Sequence, residues 1–235
     1  MISFIRKLIN PFHIDVRKYP ELDLRRRKKL LDHHGITKIL DVGANNGQYG
    51  LQTIKLGFKG TIVSFEPVKS VFEDLKSNSD KFNSWEAYNF GSGDITKEAF
   101  IHISENTYSS SLLEIMPNHV KNAPASKIID TELISIEKLD DVFNNYVNDN
   151  DEVLLKIDVQ GFEKNVLKGA EQSLKRIKGI QIEMSIEELY KNEMLYMDMI
   201  NYLNSFGYSL HSLENGFYND ETGKLLQVDG LFFRD

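Results

Sequence analysis

The sequence predicts an α/β fold built on a mostly parallel, doubly wound sheet. Three observations carry this. From residue 37 onward, short apolar runs alternate with helix-compatible segments, the pattern of a parallel sheet with helices on both faces. The first run ends in Asp41 and passes through a turn carrying Gly43 and Gly47 into a helix-compatible segment. A strand hands over to a helix in this way around a nucleotide-like ligand. Near the other terminus, the turn-rich stretch Asn215–Thr222 separates two strand signals, which predicts a closing hairpin and an antiparallel edge.

Residues 4–12 place Phe4, Ile5, Leu8, Ile9 and Phe12 around Arg6 and Lys7. This amphipathic stretch fits a helix packed on the domain or on a second copy of the chain, and less well a membrane-surface contact. Residues 21–34 read as a helix ending at Gly35. Its run Arg25-Arg26-Arg27-Lys28-Lys29 reads as a solvated face rather than a phosphate contact, because the rest of the chain is acidic. Residues 1–35 are therefore expected to form an N-terminal helical extension, and residues 36–235 one domain. Within that domain, a strand is expected at 37–41 and a helix at 47–56, then a strand at 60–65 and a helix at 68–79. Another strand covers 85–90, and 97–136 is irregular or a hairpin. A strand at 153–158 leads to a helix at 163–176, and a strand at 179–184 to a helix at 195–206. Strands at 207–213 and 229–234 close the chain.

Bulk composition narrows the function. The 235 residues suffice for one domain with a substantial core, and 41% hydrophobic with 27% charged residues is ordinary for a soluble protein. A net charge of −7 argues against a nucleic-acid partner. Cysteine is absent, which excludes disulfides and thiolate metal sites. No apolar run approaches the roughly 20 residues of a membrane span, and there is no secretory signal. No integral membrane association is expected, and cytoplasm is the expected location.

The glycine turn selects the ligand class. Dinucleotide binders use G-x-G-x-x-G with pyrophosphate on the helix N-terminus. Here Asn45 replaces the second fingerprint glycine, and Asp41 would lie beside the pyrophosphate and repel it. An NAD-dependent dehydrogenase is thereby disfavoured. S-adenosylmethionine, a sulfonium cation with no phosphates, fits better. Glu66 ends the second strand 25 residues after Asp41, where a carboxylate can accept hydrogen bonds from both ribose hydroxyls. Its alternative use is as a favourable charge at the start of helix 68–79.

The chain resembles the FkbM-type S-adenosylmethionine-dependent methyltransferases. The resemblance rests on Asp41-Val42-Gly43-Ala44-Asn45 with Gly47, Phe65-Glu66-Pro67, Ser109-Ser110-Ser111-Leu112 and Leu155-Lys156-Ile157-Asp158-Val159-Gln160-Gly161 with Glu163. It continues through Leu167-Lys168-Gly169-Ala170 and Ile182-Glu183 to Gln227-Val228-Asp229-Gly230-Leu231-Phe232. It implies a Rossmann-like class I methyltransferase fold, with seven strands of which the last is antiparallel. It also implies O-methylation, often of sugar or polyketide hydroxyls. A cofactor set follows of Asp41, Gly43, Asn45, Gly47, Glu66, Pro67 and Asp158. Phe90, Ser92 and Asp94 are added in the post-strand loop, where the adenine is expected. Gln160 departs from the pattern, because many relatives carry Glu there.

Transfer of a methyl group to a hydroxyl requires the acceptor oxygen on axis and its proton removed. Asp158 and Glu183 are the first candidates. Each ends an apolar parallel strand, so both would project at the carboxyl rim of the sheet. Such a pair could share a proton or hold a Mg²⁺-like ion; the metal is not favoured, and no metal ligand is assigned. His119 is a third candidate base, on a loop that could cover the acceptor. Tyr108 and Ser109–Ser111 either line the pocket or only cap the next segment. Tyr190, Tyr196, Tyr202, Phe206 and Tyr208 fit core packing better than a sugar-stacking wall. The expected function is O-methylation of a small-molecule or glycan hydroxyl, with a sugar favoured. The alternative from another class is a non-catalytic S-adenosylmethionine-binding scaffold.

Overall fold

The computed structural model describes residues 20–234. The amphipathic stretch at 4–12, and with it any contact to a second copy of the chain, lies outside the described residues. Among those described, no helix is long and apolar enough to cross a membrane.

The described residues begin with helix α1 (Leu22–His33) and enter strand β1 (Lys38–Val42), helix α2 (Gln48–Lys55), strand β2 (Thr61–Phe65), helix α3 (Lys69–Ser79) and strand β3 (Trp85–Tyr88). A second half carries β7 (Val153–Ile157), α6 (Glu163–Lys168), β8 (Ile177–Ser185), α7 (Tyr196–Ser205), β9 (Ser209–Asn215) and β10 (Gln227–Phe233). These strands form one seven-stranded sheet in the order β3-β2-β1-β7-β8-β10-β9. All neighbours up to β8 are parallel, and β10 is antiparallel to both β8 and β9. The expected hairpin is present, but β10 folds back between β9 and β8. The reversed strand therefore lies one in from the edge, and β9 forms the edge itself.

The central strands are apolar because both faces are covered. Every residue of β1 and β7 is buried. Leu40, Val42, Leu155, Ile157, Ile180 and Ile182 face one side, packing with Phe143, Val166 and Leu203. Ile39, Ile62, Leu154, Leu231 and Phe233 face the other, packing with Leu31 of α1 and Leu75 of α3. The strand period of two then puts Asp41, Ser64, Lys156 and Gln181 on this second face. They lie in register across β2-β1-β7-β8. A polar row thus crosses the sheet one pleat above an apolar one.

Three segments refine the sequence expectation. Strand 85–90 stops at Tyr88, and β4 (Gly91–Ser92) begins a different sheet. The region 97–136 holds the expected hairpin, with a long connection between its two strands. In it β5 (Lys97–Ser104) pairs antiparallel with β6 (Ile128–Glu137), and β6 pairs parallel with β4. Between β5 and β6 lies the short helix α4 (Pro117–Asn122). A further helix, α5 (Leu139–Tyr146), buries Leu139 and Phe143. Expected helix 163–176 is shorter, because α6 ends at Lys168 and a single 3-10 turn follows at Ser173–Arg176. Gly169, at the C-terminal end of α6, abuts backbone: a Cβ there would lie 1.9 Å from the Gly93 carbonyl oxygen.

Candidate active site

The sheet order reverses between β1 and β7, and open α/β sheets bind ligands outside the strand ends at such a point. A cleft of about 410 Å³ lies there. Gly43, Asn45, Glu66, Pro67, Ser92, Asp158 and Glu183 line it. The turn after β1 needs left-handed backbone at Gly43 (φ 74°), Asn45 (φ 47°) and Gly47 (φ 89°). Gly43 also abuts the backbone just after β7: a Cβ there would lie 1.9 Å from the Asp158 carbonyl oxygen. Asparagine tolerates this conformation better than most residues.

Glu66 is the anchor of the β2 end. Its Oε2 accepts the Asn45 amide at 2.9 Å and its Oε1 the Val68 amide at 3.0 Å. Each carboxylate oxygen keeps a second lone pair. Burial pushes the Glu66 carboxyl up to about 7, against the pull of those two amides. Beyond Glu66 the wall is apolar, formed by Val68, Ile101, Leu112 and Ile134. The three-stranded sheet thus builds one end of the cleft.

The opposite end is charged. Lys156 Nζ lies 3.2 Å from Asp41 Oδ1 and 3.5 Å from Asp158 Oδ2, and it donates to the Gly43 carbonyl at 3.2 Å. Burial opposes its charge, but Asp41 and Asp158 outweigh burial and hold the ammonium above its ordinary value. Asp41 itself is fully buried and does not line the cleft. Its Oδ2 accepts the Ser64 hydroxyl at 3.1 Å, while Oδ1 is close to Lys156 but off the hydrogen-bond direction. The group expected to meet the cofactor therefore sits one layer down, and Lys156 is what it presents.

Gln160 joins the two rim carboxylates. Its Nε2 donates to Asp158 Oδ1 at 2.7 Å and to Glu183 Oε2 at 2.9 Å. Gln227 Nε2 also donates to Glu183 Oε2, at 2.8 Å. Glu183 is held well above the ordinary carboxylate range by burial, and then by Asp158, Asp229 and Glu163. Asp229 stands opposite Glu183 in register and lines the same end. Burial pushes it up to about 6, with Asp158 adding to the rise. Among the described residues, no cluster of His, Asp and Glu is arranged to hold a metal ion.

Besides Asp41, four further expected site residues lie outside the cleft lining. Gly47 packs its turn on the Trp85 ring, which a Cβ would meet at 2.7 Å. Phe90 packs against Phe65, ring centroids 4.8 Å apart. Asp94 follows β4, beyond the point where the chain leaves the cleft. His119 is buried in α4, edge-on to Tyr190 at 5.0 Å, and burial pushes it down to about 4. It is a core residue rather than a loop residue over the cleft.

Other lining residues had no expected role. Arg27, from the run read as solvated, is buried and ion-paired to Glu214 of β9. It donates to Gln52 Oε1 at 3.0 Å and covers the Tyr49 ring at 5.2 Å. Helix α1 is thereby joined to the domain and contributes to its cleft. Tyr49, Gln181, Asp229 and Lys156 complete this end. For Lys156 and Gln181 the signal was a polar residue flanked by apolar ones within a strand, as in Leu154-Leu155-Lys156-Ile157.

A model of the FkbM methyltransferase domain matches residues 41–210. The chain belongs to this family. Every lining residue from Val42 to Glu183 falls inside the matched span, while Arg27 and Asp229 lie beyond it. The FkbM chain also resembles solved structures of low sequence identity. TrmK of M. capricolum, solved with S-adenosyl-homocysteine, is 10% identical over 93% of this chain and 70% of that one, with a TM-score of 0.50. TehB of Haemophilus influenzae is 11% identical over 100% and 67%, with a TM-score of 0.49. No curated protein matches the chain in sequence. The seven-stranded order with a reversed last strand is that of a class I methyltransferase.

Proposed function

We propose that this FkbM-family chain binds S-adenosylmethionine in the cleft and methylates a hydroxyl of a small molecule or glycan, a sugar being the favoured acceptor. One observation carries the reading. Glu66 is fixed by the Asn45 and Val68 amides at the strand ends, with a lone pair left on each oxygen for the two hydroxyls of a ribose. Val68, Ile101, Leu112 and Ile134 supply the apolar wall that a nucleobase requires. The Gly43 turn approaches without side-chain bulk.

The bound cofactor would supply an activated methyl group. The chain's own task is then to hold an acceptor and receive its proton. Asp158 and Glu183 fit that task, since both line the cleft and Gln160 fixes both. Burial, with Asp158, Asp229 and Glu163 around it, raises the proton affinity of Glu183 above that of an ordinary carboxylate, which suits it to receive a proton. An acidic lining of this kind favours an uncharged polyhydroxyl acceptor over a nucleic-acid phosphate.

Transfer of tritiated methyl from S-adenosylmethionine to a panel of sugars and glycosides tests the reading. Label in a sugar hydroxyl, unchanged by EDTA, is the expected result. Label absent from every hydroxyl, with S-adenosylmethionine bound, would leave a non-catalytic binding protein.

A further inference from the structure

Gln160 sits in a left-handed conformation, φ 58°, that a non-glycine residue rarely adopts. Strain of this kind persists only where the surroundings hold it. Here they do. Ser111 Oγ donates to the Gln160 carbonyl at 2.6 Å. Glu163 Oε1 accepts the amides of Val159 and Gly161, each at 3.1 Å, on either side of Gln160. Gly161 lies against Tyr190, whose side chain a Cβ would meet at 2.6 Å. The backbone is therefore set, and only the amide's orientation is left to choose.

Tyr190 makes that choice. Its hydroxyl is 2.6 Å from Gln160 Oε1 and 3.3 Å from the Ser109 carbonyl oxygen, and the shorter bond goes to the glutamine. With Oε1 taken, Nε2 must face the rim, where its two hydrogens meet Asp158 and Glu183. Turned over, the amide would present an oxygen to both carboxylates, and contact would need protons on them.

We propose that Tyr190 is a positioning residue for methyl transfer, holding the Gln160 amide so that its single Nε2 clamps Asp158 and Glu183 at a set spacing. The proposal rests on the reading of this cleft as a methyl-transfer site. Without the hydroxyl, the amide loses its preferred orientation and the carboxylates lose their shared donor. Glu183 then faces Asp158, Asp229 and Glu163, with Lys156 as the nearby cation. Tyr190 faces Glu183, Glu163, Asp158 and Glu193, with the His119 ring edge-on. Relief comes by proton uptake, so Glu183 titrates higher.

A double-mutant cycle tests this in the full chain: wild type, Tyr190→Phe, Gln160→Met and both together. The first readout is the Glu183 carboxyl titration by ¹³C NMR, assigned with Glu183→Gln. The second is S-adenosyl-homocysteine affinity by calorimetry. Tyr190→Phe is expected to raise the Glu183 titration by about one pH unit, to add nothing in the Gln160→Met background, and to leave the affinity within about twofold. No shift in the first variant overturns the proposal, and so does an equal shift when Gln160 is already gone. The expected titration with no binding of S-adenosyl-homocysteine to wild type would uphold the clamp and overturn the cofactor reading.

Discussion

Glu66→Gln separates the stability of this fold from its ligand binding. Burial raises Glu66 from an ordinary 4.5 to about 7, and the difference is worth about 3 kcal/mol at about 1.4 kcal/mol per pH unit. Below pH 4.5 the group is protonated in both folded and unfolded chains and contributes nothing. Between 4.5 and about 7 the unfolded chain loses its proton first, so wild-type stability falls as pH rises. Above about 7 the cost is complete. Glutamine does not ionise and escapes this slope. It does lose one of the two amide bonds to Asn45 and Val68, at about 1–3 kcal/mol at every pH. The stability of Glu66→Gln relative to wild type should therefore improve by about 3 kcal/mol between pH 4.5 and pH 8. Urea unfolding can be followed through Trp85, the single tryptophan, whose Nε1 donates to Ser64 Oγ at 3.0 Å beside Asp41. A difference between the two proteins that does not change with pH would refute the burial argument.

Three further substitutions probe the same cleft. Lys156→Met strips the buried cation from Asp41 and should cost about 3–5 kcal/mol in denaturant unfolding; wild-type stability would mean the pair anchors nothing. Gly43→Ala drives a Cβ into the Asp158 backbone from left-handed φ, and should lower stability by about 2 kcal/mol or more. A melting temperature within a degree of wild type would contradict that packing. Asp158→Asn should reduce methyl transfer by about a hundredfold or more while S-adenosyl-homocysteine still binds, and a rate near wild type would remove Asp158 as proton acceptor.

The fold was legible where both faces of a strand are buried. The runs at 37–41, 60–65 and 153–158 are apolar because helices cover them twice, and their strands lie within a residue of expectation. In the region 97–136 the hairpin was legible only beside an irregular reading, because β5 and β6 expose one face and carry Lys97, Glu98 and Glu132 among apolar residues. Their pairing is long-range and leaves little local periodicity. At the site, Glu66 and Gly43 followed from chain geometry near a strand end. The burial of Asp41 beneath the cleft was not legible, because its partner Lys156 lies 115 positions away. Arg27 escaped for the converse reason: four basic neighbours made its helix look solvated, and only the tertiary fold brings Glu214 to it.

The central claim is that this cleft holds a ribosyl sulfonium ligand through Glu66, and calorimetric titration with S-adenosyl-homocysteine tests it. One-to-one binding is expected, weakened by about 1–3 kcal/mol in Glu66→Ala, with no heat from NAD. Binding of NAD, or S-adenosyl-homocysteine affinity that is indifferent to Glu66→Ala, would contradict it.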